Sequence, residues 1–343
     1  MKALSFDVFG GPDVFKVVDL PTPEPGPFDV LVRVHAAGIC YHDVLSRAGK
    51  LPRDKPGVVL GHEISGEIAA CGQNVDRARI GERVVIYQRR YCGKCRYCLG
   101  GRHDLCRDSV IIGEDGGGGG YAEYCCVPAT HAVRVPDALD LIPAALSSCP
   151  VGTSVRAALG VAEIGPGDRV LITGASGGLG LHQIQVAKAV GAHVIAVSSS
   201  QAKASVIEKA GADEIVVSPD LKFSGEVWKR TAKQGVDVVL ENVGTATIGE
   251  SMRACAQNAA IVLLGNIGAA PVDIMPGLVI GRRLRLMGSG NATYKDLRQA
   301  LELMASGRVV PFIDKVIPFP QVGQGHAMME NRQVTGRVVL SGW

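Results

Sequence analysis

The chain has 343 residues, with 36 Lys and Arg against 33 Asp and Glu, for a net charge of +3 at pH 7. Hydrophobic residues at 47% and charged residues at 20% exclude a mainly disordered chain, and so weak a charge gives no reason to expect nucleic acid or an anionic membrane as a partner. At about 150 residues per domain the length predicts two domains, each able to bury a core without disulfides.

The chain opens Met1-Lys2-Ala3-Leu4-Ser5-Phe6-Asp7, with an acidic residue and no apolar segment, so no secretory signal is expected. No run of about 18 apolar residues predicts a membrane span. The ten cysteines are therefore expected in the reducing cytoplasm, where clustered thiols bind metal more often than they form disulfides.

Residues 1–150 read as β-rich. After the turn-rich segment 21–27, short apolar strands are expected at 30–34, 64–70 and 83–86, with Pro and Gly in the gaps. Gly116 to Gly120 is a run of five glycines, read as a flexible loop or as the mobile edge of a binding cleft. From about Pro166 the rhythm changes. Strands at 169–173, 193–197, 214–217, 236–240, 260–264 and 284–287 alternate with helices at 179–190, 201–210 and 226–233. Apolar strands alternating with helices predict an α/β domain with a doubly wound parallel sheet over 151–290. A helix at 295–305 and strands at 311–319 and 336–340 follow, and this tail, about 291–343, is expected to return to the first domain.

Three constellations carry chemistry. Cys92, Cys95, Cys98 and Cys106 form C-x2-C-x2-C-x7-C. Four thiolates at this spacing close a tetrahedral shell around Zn²⁺ with no open position, which predicts a structural zinc. Arg89, Arg90, Lys94, Arg96 and Arg102 around it read as a solvated face rather than a nucleic-acid grip. Second, Gly174-Ala175-Ser176-Gly177-Gly178-Leu179-Gly180 sits between a strand and a helix, the context in which backbone approaches a pyrophosphate at a helix N-terminus. The next strand ends in Ser198-Ser199-Ser200, with Lys203 soon after. No carboxylate stands there to repel a 2′-phosphate and Lys203 can pair with it, so NADP(H) is expected over NAD(H). The serines also suit capping of the next helix.

The third set is scattered: Cys40, His62 and Cys149. Two thiolates and one imidazole suit a catalytic zinc with an open fourth position, although spacing across 110 residues does not bring them together by itself. Here the chain resembles the zinc-containing medium-chain alcohol dehydrogenase family nearly end to end. Gly38-x-Cys40-x2-Asp43, Gly61-His62-Glu63, the four-cysteine lobe, Gly120-Tyr121-Ala122-Glu123-Tyr124 and Cys149-x3-Thr153-x2-Arg156-Ala157 fall in family order.

The resemblance implies an N-terminal GroES-like catalytic domain followed by a Rossmann domain. It also implies catalytic zinc on Cys40, His62 and Cys149, Glu63 as an alternative ligand, and Asp43 orienting His62. Thr153, Asn242, Val243, Gly265 and Asn266 are expected at the cofactor, Arg337 at its pyrophosphate, and a homodimer or homotetramer as the assembly.

Two positions depart from the alcohol dehydrogenase pattern. His42 stands where Ser or Thr usually relays the alcohol proton, and Leu45 where a relay histidine is often found. His42 reads equally as an acid–base group or a surface histidine. The segments 40–45, 173–182 and 265–266 resemble a branch that includes archaeal NADPH-dependent acryloyl-CoA reductases. Two activities are thus expected. One is zinc-dependent hydride transfer between NADP(H) and an alcohol or carbonyl compound. The other is reduction of an activated C=C bond in an enoyl thioester or enone, with Arg282-Arg283 read either as a basic entrance for a thioester or as the solvated end of a strand. A zinc-stabilised binding protein without chemistry is the third reading, and the intact ligand set argues against it.

Overall fold

The computed structural model describes residues 1–51, 55–114, 116, 118–265 and 270–343. The chain forms two compact units. One comprises Met1–Cys149, Thr293–Ala305 and Ile313–Trp343, and the other Pro150–Ala292 and Ser306–Phe312. No helix among the described residues is long and apolar enough to cross a membrane.

The first unit is built on a seven-stranded sheet. Its strands run in the order Ile313–Ile317, Arg337–Ser341, Asp29–Gly38, Glu63–Cys71, Arg83–Ile86 and Ala132–Arg134, with Tyr124–Pro128 also pairing Asp29–Gly38. The Asp29–Gly38 strand is twice as long as the expected apolar run. Its first half pairs antiparallel with Tyr124–Pro128 and its second half with Arg337–Ser341. Register shifts opposite Glu63–Cys71, at Leu31/Val32 and Val34/Ala36, bend the strand so that it serves both partners. The C-terminal tail therefore returns as a sheet strand. The strand expected over 311–319 is confined to Ile313–Ile317, because Pro311 and Pro318 have no N–H to give a ladder. Leu4, Phe6, Val30, Val32, Ile39, Ile64, Tyr121 and Phe319 belong to the core of this unit.

The second unit holds a six-stranded sheet, parallel throughout. Its order is Glu214–Val217, His193–Ser198, Arg169–Ile172, Val236–Glu241, Cys255–Leu263 and Arg285–Gly288. Numbered within the unit this is 3-2-1-4-5-6, the doubly wound order with its switch point between the first and fourth strands. Val170, Leu171 and Ile172 are all fully buried, as expected for a strand covered on both faces. The helices match the apolar pattern within a few residues, at Gly180–Ala189, Ala204–Lys209 and Ser224–Arg230. The pattern gave no sign of the π-helical turn Arg156–Val161, which extends the Pro150–Val155 helix.

Candidate metal and cofactor sites

The Cys40 backbone is extended and immediately precedes the Tyr41–Arg47 helix. The Asp43 carboxylate reaches back to accept the Cys40 N–H at 2.9 Å, satisfying one of the helix's free donors. Its other oxygen accepts from His62 Nδ1 at 3.2 Å. His62 sits just before the Glu63–Cys71 strand, buried like Asp43. With Nδ1 engaged by the carboxylate, Nε2 remains to bind a metal.

Folding brings Cys40, His62, Glu63 and Cys149 together, with one ligand atom from each inside a 4.8 Å cluster. The two sulfurs of Cys40 and Cys149 lie 4.0 Å apart. Two thiolates on one tetrahedral zinc, each at about 2.3 Å, would be about 3.8 Å apart, so the donor set fits that ion. The second predicted set also assembles. Cys92, Cys95, Cys98 and Cys106 form a cluster of the same tightness, with Cys92 Sγ 3.6 Å from Cys106 Sγ and 3.9 Å from Cys98 Sγ.

The electrostatics around the first cluster are strongly coupled. Cys40 is held well below the ordinary thiol range, first by its hydrogen bond with Cys149 and then, against burial, by the Arg337 charge. Cys149 is pushed correspondingly up. Burial opposes the charge on His62, but the Asp43 carboxylate outweighs it and raises the imidazole well above its usual value. Glu63 has no solvent exposure, and burial pushes its carboxyl to about 7 although Arg337 pulls the other way.

Arg337, expected at the cofactor pyrophosphate, is itself buried here. Its Nη2 lies 3.0 Å from Glu63 Oε1 and 3.6 Å from Cys40 Sγ. The ion pair leaves Glu63 Oε2 buried without a partner among the described residues, a lone-pair donor at the edge of the ligand cluster.

His42 is partly exposed and paired with Glu114, a residue the sequence gave no reason to single out. Ser46 Oγ also donates to Glu114, at 3.4 Å. The His42 ring stands edge-on to His62, with centroids 5.9 Å apart. Burial alone would lower the His42 pKa, but the hydrogen bond to Glu114 raises it.

The glycine run departs from the flexible-loop reading over its described end. Gly119 and Gly120 are buried, and their N–H groups donate to the carbonyls of Val59 and Gly61, both at 2.8 Å. A Cβ on Gly119 would come within 2.3 Å of the Leu60 carbonyl oxygen. These glycines let two backbone segments press together next to His62, which brings Tyr121 beneath the cluster. Gly117 lies outside the described residues.

In the second unit the turn from Gly174 through Ser176, Gly177, Gly178 and Leu179 joins the first strand to the Gly180–Ala189 helix. A Cβ on Gly180 would meet the Gly174 carbonyl oxygen at 2.5 Å, so only glycine closes this turn. The Ser198 hydroxyl turns into its own loop, donating to the Ser200 carbonyl at 3.0 Å and accepting the Ser200 N–H at 3.2 Å. Ser199 is exposed, and Ser200 precedes the short Gln201–Lys203 turn without a side-chain cap. The helix-capping role expected of the serines is thus not formed. Thr153 is buried on the Pro150–Val155 helix.

Asn242 and Val243 follow the fourth strand, shaped by a carboxylate the sequence reading did not credit. The buried Glu241 carboxylate accepts from Thr173, Thr247 and Ser251 hydroxyls and from the N–H groups of Val243 and Gly244. Gly265 closes against the Asn242 carbonyl, while Asn266 lies outside the described residues. Arg282, expected at a basic entrance, instead anchors its helix. Its Nη1 donates to the carbonyls of Arg253 at 2.6 Å and Cys255 at 2.8 Å, and its guanidinium lies over the Trp228 ring. Arg283 remains exposed.

Residues 26–137 match the alcohol dehydrogenase GroES-like domain family and residues 178–306 the zinc-binding dehydrogenase family. The chain is 34% identical over 342 residues to acryloyl-coenzyme A reductase of Sulfurisphaera tokodaii, covering 99% of both chains. It is also 34% identical over 345 residues to an alcohol dehydrogenase of Geobacillus stearothermophilus, again over 99% of both. The crystal structure of AibC superposes with a TM-score of 0.95 at 41% identity, covering all of this chain and 96% of the other. Over its whole length, the chain belongs to the medium-chain dehydrogenase/reductase superfamily of oxidoreductases, in a branch similar to acryloyl-CoA reductase.

Proposed function

We propose that this protein is an NADPH-dependent reductase that adds a hydride and a proton across the activated C=C bond of an enoyl thioester or enone. The observation that carries this reading is the End-to-end likeness to an acryloyl-CoA reductase combined with His42 and Leu45 at the two positions where an alcohol dehydrogenase places its proton relay. When bound, zinc supplies a Lewis acid for a carbonyl oxygen and the nicotinamide supplies the hydride.

The chain's own residues do the rest. Cys40, His62 and Cys149 hold the metal and leave one position open, with Glu63 beside it. His42, whose Nε2 is held by Glu114, is the group that would supply a proton to the carbon that becomes electron-rich. The 174–180 turn presents backbone N–H groups to the pyrophosphate. The absence of a carboxylate at Ser198–Ser200 leaves room for a 2′-phosphate, and Lys203 supplies a positive charge nearby.

A second reading, reduction of a carbonyl or oxidation of an alcohol, is favoured by the complete four-residue donor set, which suits carbonyl chemistry equally well. Incubation of the zinc-loaded protein with acryloyl-CoA tests the first. NADPH is expected to be consumed with formation of propionyl-CoA, faster than NADH at equal concentration. No consumption with acryloyl-CoA or its β-substituted homologues, alongside turnover of simple alcohols, would remove the ene-reductase reading.

A further inference from the structure

Beneath the metal cluster runs a buried hydrogen-bonded chain that the proposed chemistry does not use. We infer that Tyr121 and His326 are positioning residues for His62, holding Asp43, and through it the imidazole, in the orientation that presents Nε2 to a metal. This rests on the zinc reading above.

The Asp43 carboxylate is fully engaged. Oδ1 accepts from His62 Nδ1 at 3.2 Å, and Oδ2 accepts both the Cys40 N–H at 2.9 Å and the Tyr121 hydroxyl at 3.1 Å. One backbone donor would leave the carboxylate free to rotate about its Cβ–Cγ bond. The tyrosine hydroxyl supplies a second fixed donor to the same oxygen and sets the plane in which Oδ1 meets the imidazole. In this bond the Tyr121 hydroxyl donates and Asp43 Oδ2 accepts. The phenolic oxygen then accepts, and His326 Nε2 lies 3.5 Å from it. A proton on Nε2 makes His326 Nδ1 the bare nitrogen, and that atom is buried without a partner among the described residues. Burial also keeps this histidine neutral, its pKa pushed down to about 3 although Asp43 pulls the other way. The Phe15 ring closes edge-on over it at 4.8 Å.

Tyr121 and His326 have no solvent exposure. Phenylalanine and an aliphatic residue would fill the same space without burying polar atoms, one of them unsatisfied, which is costly. A chain of polar groups that ends on the partner of a metal ligand is accounted for by its effect on that ligand.

Zinc release to a chromophoric chelator tests the assignment. The protein carrying two zinc ions per chain is used, and Cys40→Ala serves as the reference that keeps only the four-cysteine zinc. Tyr121→Phe and His326→Asn are expected to release the Cys40/His62/Cys149 zinc about tenfold faster, at the low end of the effect of outer partners on metal affinity. His326→Gln, whose amide nitrogen reaches the place of Nε2, is expected to stay close to the parent. The four-cysteine zinc should leave at the parent rate in all three, which reports an intact fold. With Co²⁺ in place of zinc, Tyr121→Phe should also shift the visible absorption bands.

Unchanged release from Tyr121→Phe, or equal release from the Gln and Asn variants, would overturn the inference. Loss of the four-cysteine zinc as well in Tyr121→Phe would make the hydroxyl a requirement of the fold and overturn it too. A parent protein that binds only one zinc would overturn the zinc reading itself, a result visible before any variant is made.

Discussion

Asp43 shows how much one side chain settles. Its carboxylate caps the Tyr41–Arg47 helix through Cys40 N–H and fixes the ring of His62, so a local helix signal and a metal site share one residue. His42 directly precedes it on the same short helix, with Glu114 arriving from a distant segment to hold the ring. In the proposed reading this pair takes the place of the hydroxyl relay of alcohol dehydrogenases, and its effect is measurable. His42→Asn is expected to lower kcat by about 10²–10⁴, the usual contribution of a positioned acid or base, while both zinc ions stay bound. A variant with parental kcat would leave His42 as a surface histidine, the alternative the sequence left open.

At the scale of elements, the four-cysteine lobe is the part least able to fold by burial. It contains a two-residue strand pair, Arg89–Arg90 with Val110–Ile111, and a single helical turn, Arg96–Leu99. Its leucines, Leu99 and Leu105, are exposed. A metal held by the four cysteines would supply what the core cannot. Beside it Tyr91 is stacked between His103 and His131, with ring centroids 4.0 and 4.8 Å away. His131 is buried, and its Nε2 donates to the Arg89 carbonyl at 2.9 Å. Burial pushes its pKa down to about 4, against about 6.5 in an unfolded chain. Between these values only the unfolded chain takes up the proton, so this histidine's contribution to stability is complete above pH 6.5 and is lost as pH falls toward 4. The slope is up to about 1.4 kcal/mol per pH unit. His131→Gln keeps a donor for the carbonyl and does not titrate. Denaturant unfolding between pH 4 and 7 should therefore show a flatter acid limb in the variant, and identical limbs would contradict the assignment.

At the scale of the molecule, what was legible in the sequence follows the range of the forces involved. The strands and three of the helices of the second unit are legible from apolar periodicity, and the glycine turn from its strand–turn–helix setting, because each is a local pattern; the helices Ile248–Ala254 and Pro276–Arg282 are not. The cysteine lobe was legible because its four ligands lie within fifteen residues. Cys40, His62 and Cys149 are by spacing only a set of compatible ligands across 110 residues; the family resemblance joins them in the sequence, and the fold brings their ligand atoms together. Glu114 and His326 carry no local signal, and Tyr121 lies in the 120–124 motif with no role attached to it. Their roles come from contacts 72, 78 and 205 residues apart in sequence, and only the folded chain shows them. The anchoring of Arg282 is hidden from the sequence for the same reason, since its carbonyl partners belong to other elements.

The reading of the whole molecule as an ene reductase turns on where one hydride goes. NADPH carrying deuterium at the transferred position, incubated with the zinc-loaded protein and cinnamaldehyde, offers a conjugated alkene and a carbonyl in one substrate. The account predicts a saturated aldehyde with deuterium at the β-carbon, and cinnamyl alcohol with deuterium on the carbinol carbon would contradict it.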